Sequence, residues 1–461
     1  MSARGSGAVS TGTPTAGPPE RLRWDALQIV LVVLVSMQVW RVQDLFPILP
    51  IKGVPVLSTA IAVGLLLLDR DPRRRLVALN QPLVRAVVGI VALVGLSIPG
   101  SLYPRLSVEF LLVDYLRSVI LMLLVAASIR GLPDLRRLAW LQMLGVTLFS
   151  AVIMATSRIG SDGRLVAVNY YDANDLAMLI VCTLPLALYL WRRPSGLLAR
   201  ALVAAATVLL VMTLGKTGSR GGFLAFVTVS GYLLLRFRGA SRAMRWGAVA
   251  VLAVLLVSLA SDKYFERIQT ILHPSSDYNW SGKSETGRLE IWKRGIGYMM
   301  DRPAFGVGAG AFGVAEGTLA PQARARRRYG KDFEWTTAHN SFVQIGAELG
   351  VGGLILFVVV LGGGFRLLWR VRRGSAAEPA LLAQVLTASL AGFLTSALFL
   401  SQAYAAYLYA LLGMCLGLRK IAAPVGARGS FRGTVPGPSA PAGNGATQGV
   451  RLPSGLGRPG R

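Results

Sequence analysis

The feature that most limits the fold is a series of apolar runs close to the length of a membrane span, joined by loops of which alternate ones are rich in arginine. The runs lie at about 26–40, 54–68, 83–98, 110–128, 138–155, 176–191, 200–214, 222–235, 246–260, 340–364, 380–399 and 402–418. Several reach the roughly 20 residues that a bilayer requires only with their flanks. Lipid offers no partner to a free backbone amide, so such runs must be helical. They predict an all-α integral membrane protein with about twelve transmembrane helices and one long, partly helical outer loop before the tenth.

Orientation follows from the arginines. Arg70, Arg73, Arg74 and Arg75 follow the second run, and Arg130, Arg136 and Arg137 the fourth. Arg192, Arg193 and Arg200 follow the sixth, Arg236, Arg238, Arg242 and Arg245 the eighth, and Arg366, Arg370, Arg372 and Arg373 the tenth. Positive loops stay in the cytoplasm, which puts both termini there. Residues 1–23 have no apolar stretch of signal-peptide type and read as a disordered cytoplasmic tail. Residues 24–420 form the membrane domain, and 421–461, rich in Gly, Pro and Arg, read as a second, basic cytoplasmic tail. The loops 41–53, 99–108, 156–175, 215–221 and 261–338 then face outward.

A net charge of +27 would suggest nucleic acid in a soluble protein. Here the arginines sit between spans, and no basic face with interleaved aromatics appears, so no nucleic-acid partner is expected. Cys182 and Cys415 lie inside apolar runs, where a thiol acts as a small hydrophobe. No disulfide, metal site or cofactor is expected, since no Cys/His/Asp cluster has ligand spacing. Glu285, Glu290, Asp301 and Glu334 lack the pairing of a glycosidase.

The long loop breaks the charge rule with Arg324, Arg326, Arg327 and Arg328 beside Tyr329. Long loops cross regardless of charge, so these residues are either a solvated run or, for Arg326 and Arg327 in particular, an anion site. From Arg288 onward, Leu289, Trp292, Ile296 and Met299 fall on one helical face, and Pro303 ends the pattern. This predicts a helix lying on the membrane surface or against the bundle. The glycine run from Gly306 to Gly313 follows no strand and reads as a tight turn rather than a nucleotide loop. Gly215-Lys216-Thr217 has Leu210 where a phosphate loop needs glycine.

Three outward positions could carry chemistry. Lys216, Ser219 and Arg220 form a polar hinge between the seventh and eighth runs, where an arginine either snorkels or binds phosphate. Arg288 opens the loop helix, as a solvated charge or a ligand contact. His339-Asn340 stands where the loop enters the tenth run, and its near-neutral imidazole suits proton transfer, although a lone histidine is more often structural. The other histidine, His273, reads as an ordinary loop residue.

His339-Asn340, nine residues and then Gly350-Val-Gly-Gly353 resembles the signature of bacterial O-antigen ligases. Ser219-Arg220, Thr286-Gly-Arg288-Leu-Glu-Ile-Trp292, Pro303-Ala-Phe-Gly-Val-Gly-Ala-Gly310 and Tyr170-Tyr-Asp-Ala-Asn174-Asp175 are also similar to elements of the O-antigen ligase and polymerase superfamily, in its order. The resemblance implies a metal-independent membrane glycosyltransferase of the GT-C kind in the bacterial inner membrane, with its site facing the periplasm. Its donor would be a glycan on undecaprenyl diphosphate, and its acceptor a hydroxyl of lipid A core or of a lipid-linked repeat unit. Arg220 and Arg288 would hold the diphosphate, and His339 would serve as base or orient the acceptor. Asn340, Ser219, Lys216, Asp172, Asn174 and Asp175 would contact substrate. The signature leans to ligase over polymerase. A polysaccharide or solute transporter is the competing class, but it should show charged or broken helices at mid-membrane and repeat symmetry. Only Asp114 and Glu348 depart from the run ends.

Overall fold

A computed structural model describes residues 22–45, 53–76, 80–158, 160, 165, 172–192, 196–259, 262–273, 277, 279–282, 284–323 and 336–422. Each apolar run carries a helix. In chain order these are α1 (Ala26–Gln38), α2 (Val54–Leu68), α3 (Pro82–Ser97), α4 (Pro104–Ser128), α5 (Leu132–Thr156), α6 (Ala173–Arg192), α7 (Gly196–Thr217), α8 (Arg220–Arg236) and α9 (Arg242–Leu259). The loop before the tenth run supplies α10 (Asp262–Gln269), α11 (Arg288–Asp301) and α12 (Phe312–Thr318). The last three runs form α13 (Ser341–Gly374), α14 (Ala377–Ala397) and α15 (Ala406–Ala422). The chain is all-helical among the described residues and is a multi-pass membrane protein. Twelve runs thus become twelve helices, of which seven are long and apolar enough to cross a bilayer, or eight if bent α9 and α10 form one span. The others fall short of that test because they are brief, as with the 13 residues of α1, or carry charged ends.

The bundle is built around α6 and α14. Helix α6 is apolar on all sides and is buried at nearly every position from Leu176 to Ala187, as a helix surrounded by others must be. Helix α14 packs against α6, α8 and α13, and α15 packs against α4. Contacts are close where side chains are small: Gly392 of α14 admits Val181 of α6 and Val229 of α8.

The helix expected after Arg288 is present and stops at Asp301, but it buries a different face. Ile291, Gly295 and Tyr298 are inside, whereas Ile296 is exposed. The large apolar residues misled because α11 docks on α13 through a glycine: Val343 and Phe312 occupy the space a Cβ at Gly295 would need. Of the two orientations expected, the helix lies against the bundle. Around it sits a second small core of Ile291, Val307, Phe312, Ala315, Ala338 and Ala347, separate from the main one.

A buried ion pair ties this outer unit together. Arg294 Nε lies 3.0 Å from Glu316 Oε1, Nη2 lies 2.5 Å from Oε2, and the Tyr298 hydroxyl donates to Oε1 at 2.8 Å. Desolvation and the Glu316 charge push the Tyr298 hydroxyl above its ordinary pKa, keeping it a donor. Glu316→Ala leaves a guanidinium uncompensated in that core and is expected to cost about 3–5 kcal/mol. Thermal unfolding of the purified protein checks this, and an unchanged midpoint would show that the pair is not structural.

The glycine signatures explain one another. Helix α13 is broken at Gly350, whose φ of 70° lies in the left-handed region. In an unbroken helix the Val351 N–H would bond the Ala347 carbonyl. Instead Val351 N donates to Pro303 O at 2.9 Å, while Ala347 O accepts from Val307 N at 2.8 Å and Glu348 O from Gly308 N at 3.1 Å. The turn at 303–310 therefore takes up the backbone groups that the break releases, as lipid could not. Gly306 has φ 64°, and a Cβ there would overlap the backbone at Ala347 and Glu348.

Candidate active site

The sequence motifs converge because each opens a helix. Ser219 caps α8: its hydroxyl accepts from Gly222 N at 3.1 Å, and Arg220 is the first helical residue. Gly287 precedes Arg288, the first residue of α11. Asn340 caps α13, accepting from Phe342 N at 2.9 Å and Val343 N at 3.2 Å. Asp172 accepts from the backbone of Asn174 and Asp175 at 2.7 and 2.8 Å, capping α6. A cation at a helix N-terminus opposes the macrodipole and weakens the helix. Helix stability therefore does not account for two arginines placed there. An anion at either helix start would meet the free N–H groups and the dipole together with the guanidinium.

Arg220 and Arg288 line one cavity of about 210 Å³, with Gly221, Leu224, Thr270, Ile271, Trp280 and Phe399. One side is cationic and the rest apolar. The Arg220 guanidinium bonds the Thr270 hydroxyl at 2.7 Å and forms an ion pair with buried Asp277. Trp280 stands edge-on to Trp292 and to Phe399, with ring centroids 5.3 and 6.3 Å apart, so the aromatic wall is braced from both sides. Sequence reasoning missed Thr270, Asp277, Trp280 and Phe399. Asp277 is one loop carboxylate among several, and Phe399 belongs to a run 180 residues from Arg220; neither carries a local signal.

His339 is half-buried just outside α13, with φ 48°, one of two non-glycine residues with positive φ among those described. Such a backbone costs about 1–2 kcal/mol for an L-residue. It fixes the imidazole at the mouth of the helix, with the Thr337 hydroxyl 3.4 Å from both ring nitrogens. Burial pushes its pKa below the usual 6.5; the Arg288 charge lowers it further, and Asp172 acts in the opposite sense. The ring is therefore neutral and able to accept a proton at neutral pH. With two histidines in the chain, ring-labelled NMR of the protein and of His273→Gln resolves each. His339 is expected to titrate below 6.5 and Arg288→Gln to move it upward; an unmoved midpoint would separate the two residues electrostatically.

A hydrogen-bonded chain links the remaining candidates. Ser219 donates to Asn174 Oδ1 at 2.8 Å, and Asn174 Nδ2 donates to Asp172 Oδ2 at 2.9 Å. The Ser219 end adjoins Arg220 in sequence, and the Asp172 charge is felt at His339. Asp175 turns elsewhere, accepting from Gln402 at 2.7 Å beside another cavity. Lys216 lies in the last turn of α7, its carbonyl accepting from Leu165 N at 3.2 Å, and does not line the arginine cavity. Arg326 and Arg327 lie outside the described residues, as do Arg324, Arg328, Tyr329, Tyr170 and Tyr171. Among the described residues no group of three or more His, Cys, Asp or Glu could hold a metal ion.

Among curated proteins, none matches the chain. The family model described as O-antigen ligase matches residues 205–358, the stretch that holds Arg220, Arg288, His339 and Gly350. Residues 205–358 thus carry the O-antigen ligase domain, and that match supports the O-antigen ligase superfamily.

Proposed function

We propose that the protein transfers a glycan from undecaprenyl diphosphate to an acceptor hydroxyl at the outer face of the bacterial inner membrane, moving finished polymer onto lipid A core. The observation that carries this reading is the cavity where Arg220, Arg288 and two helix N-termini meet beside apolar walls. A lipid diphosphate has the matching halves, a polyanion and a hydrocarbon chain. Arg220 is already paired with the Asp277 carboxylate, so the diphosphate would share this guanidinium with it. In this reading about twelve helices cross the membrane, both termini are cytoplasmic, and the site faces the periplasm.

The chemistry follows from the residues. The acceptor oxygen attacks the anomeric carbon from the face opposite the leaving group, so the new glycosidic bond is inverted. His339 takes the hydroxyl proton as that bond forms. The bond from the anomeric carbon to the diphosphate oxygen breaks, and its electron pair stays on the diphosphate. Charge growing there is met by two guanidinium groups, which bind phosphate oxygens in bidentate fashion and stay charged at any working pH. These groups occupy fixed helix starts, so little reorganisation is needed at the transition state. Asp172 holds the imidazole in a partly compensating field.

Because guanidinium charge does the neutralising, purified protein is expected to keep its transfer rate in EDTA. Metal-restorable inhibition would overturn that account. The reading itself is tested by deleting the gene and running the surface glycan on a gel. Long polymer left on its lipid carrier is the expected result. Single capped repeats would make the protein a polymerase of the same superfamily, and unchanged glycan would reject the reading.

A further inference from the structure

A large apolar cavity in the bundle lies away from the arginine site. It measures about 470 Å³ and is bounded by α6, α7, α8 and α9, with Leu188, Val203, Phe226, Val229 and Leu252 in its walls. No Asp or Glu lines it. Helix α9 closes it loosely: Val251, Val254 and Val257 stay exposed, so this side opens towards lipid rather than protein.

The mouth is cationic. Arg245 lines the cavity, donates from Nη1 to the Leu234 carbonyl at 2.7 Å, and has a buried Nε with no hydrogen-bond partner among the described residues. Arg242 stands exposed one turn earlier, and exposed Arg192 reaches Met244 Sδ at 3.7 Å. Leu234 is near the end of α8 opposite to Arg220, roughly 21 Å away along the helix. A headgroup at Arg245 is therefore remote from one at Arg220.

We propose that this groove is a binding site for an anionic phospholipid, one acyl chain lying between α6 and α9 and the phosphate at Arg245. The charge of the mouth selects the headgroup, and the apolar walls admit the chain. Full-length protein in dodecyl maltoside micelles can be titrated with palmitoyl-oleoyl phosphatidylglycerol or phosphatidylcholine and read by native mass spectrometry. Phosphatidylglycerol is expected to bind more tightly, and Arg245→Glu to weaken it about tenfold. Gly247 also lines the groove, and a Cβ there meets nothing within 4 Å. Gly247→Leu is therefore expected to fold normally while filling the space, lowering retention of both lipids. Equal binding of the two lipids, or no response to either substitution, would overturn the site. Displacement of phosphatidylglycerol by undecaprenyl phosphate that is lost in Arg220→Ala would give the groove to the donor's tail, and would overturn it too.

Discussion

Arg288→Lys is expected to lower glycan transfer by about two to three orders of magnitude while the protein reaches the membrane at its normal level. The side chain lines the arginine cavity rather than the small core that holds α11, and lysine keeps its charge, so little loss of folding is expected. Lysine keeps the charge but not the planar fork, and a point charge cannot follow two phosphate oxygens as the bond to the sugar lengthens. Arg220→Lys should behave alike, with Asp277 left facing an ammonium. The check is turnover of lipid-linked glycan by purified variants beside their membrane levels. Near-normal turnover of Arg288→Lys would remove bidentate binding from the mechanism.

His339→Gly should be equally severe and thermodynamically cheap. General-base catalysis contributes about 10²–10⁴-fold, and that contribution disappears with the imidazole. Glycine also relieves the left-handed backbone at this position, so the variant is expected to be at least as stable as the parent. An inactive protein with an unchanged or raised melting temperature would therefore separate function from folding. A variant that still delivers polymer to the surface would exclude His339 as the base. In the parent protein, transfer should fall on the acid side only below the usual histidine range, because burial and Arg288 hold the imidazole neutral.

The placement of helices and the membrane character were legible because apolar runs of span length leave few folds open. The position of the breaks was legible too: Pro303 and Ser219 mark helix boundaries by backbone chemistry alone. The face of α11 was not. Its contacts run through Gly295, and a glycine at a close approach is invisible to any count of large apolar residues. Arg220 and Arg288 could be named because their types suit phosphate, but their common cavity depends on Thr270, Trp280 and Phe399, which three separate elements bring together. Asn340 was read as a substrate contact; the structure shows its side chain capping α13. A sequence cannot say whether a cap and a ligand contact are the same atom.

The turn that accepts the broken turn of α13 limits how this chain can vary in length. Val307 N, Gly308 N and Pro303 O each meet a designated partner on the helix. Inserting or deleting one residue between 303 and 308 would set these groups out of register and leave the Ala347 carbonyl and Val351 amide without these partners. Point changes at the solvent side of this turn can drift freely; its length cannot. The segment acts as a ruler of fixed gauge, and whatever its side chains become, the number of residues between Pro303 and Gly308 is held by the helix it completes.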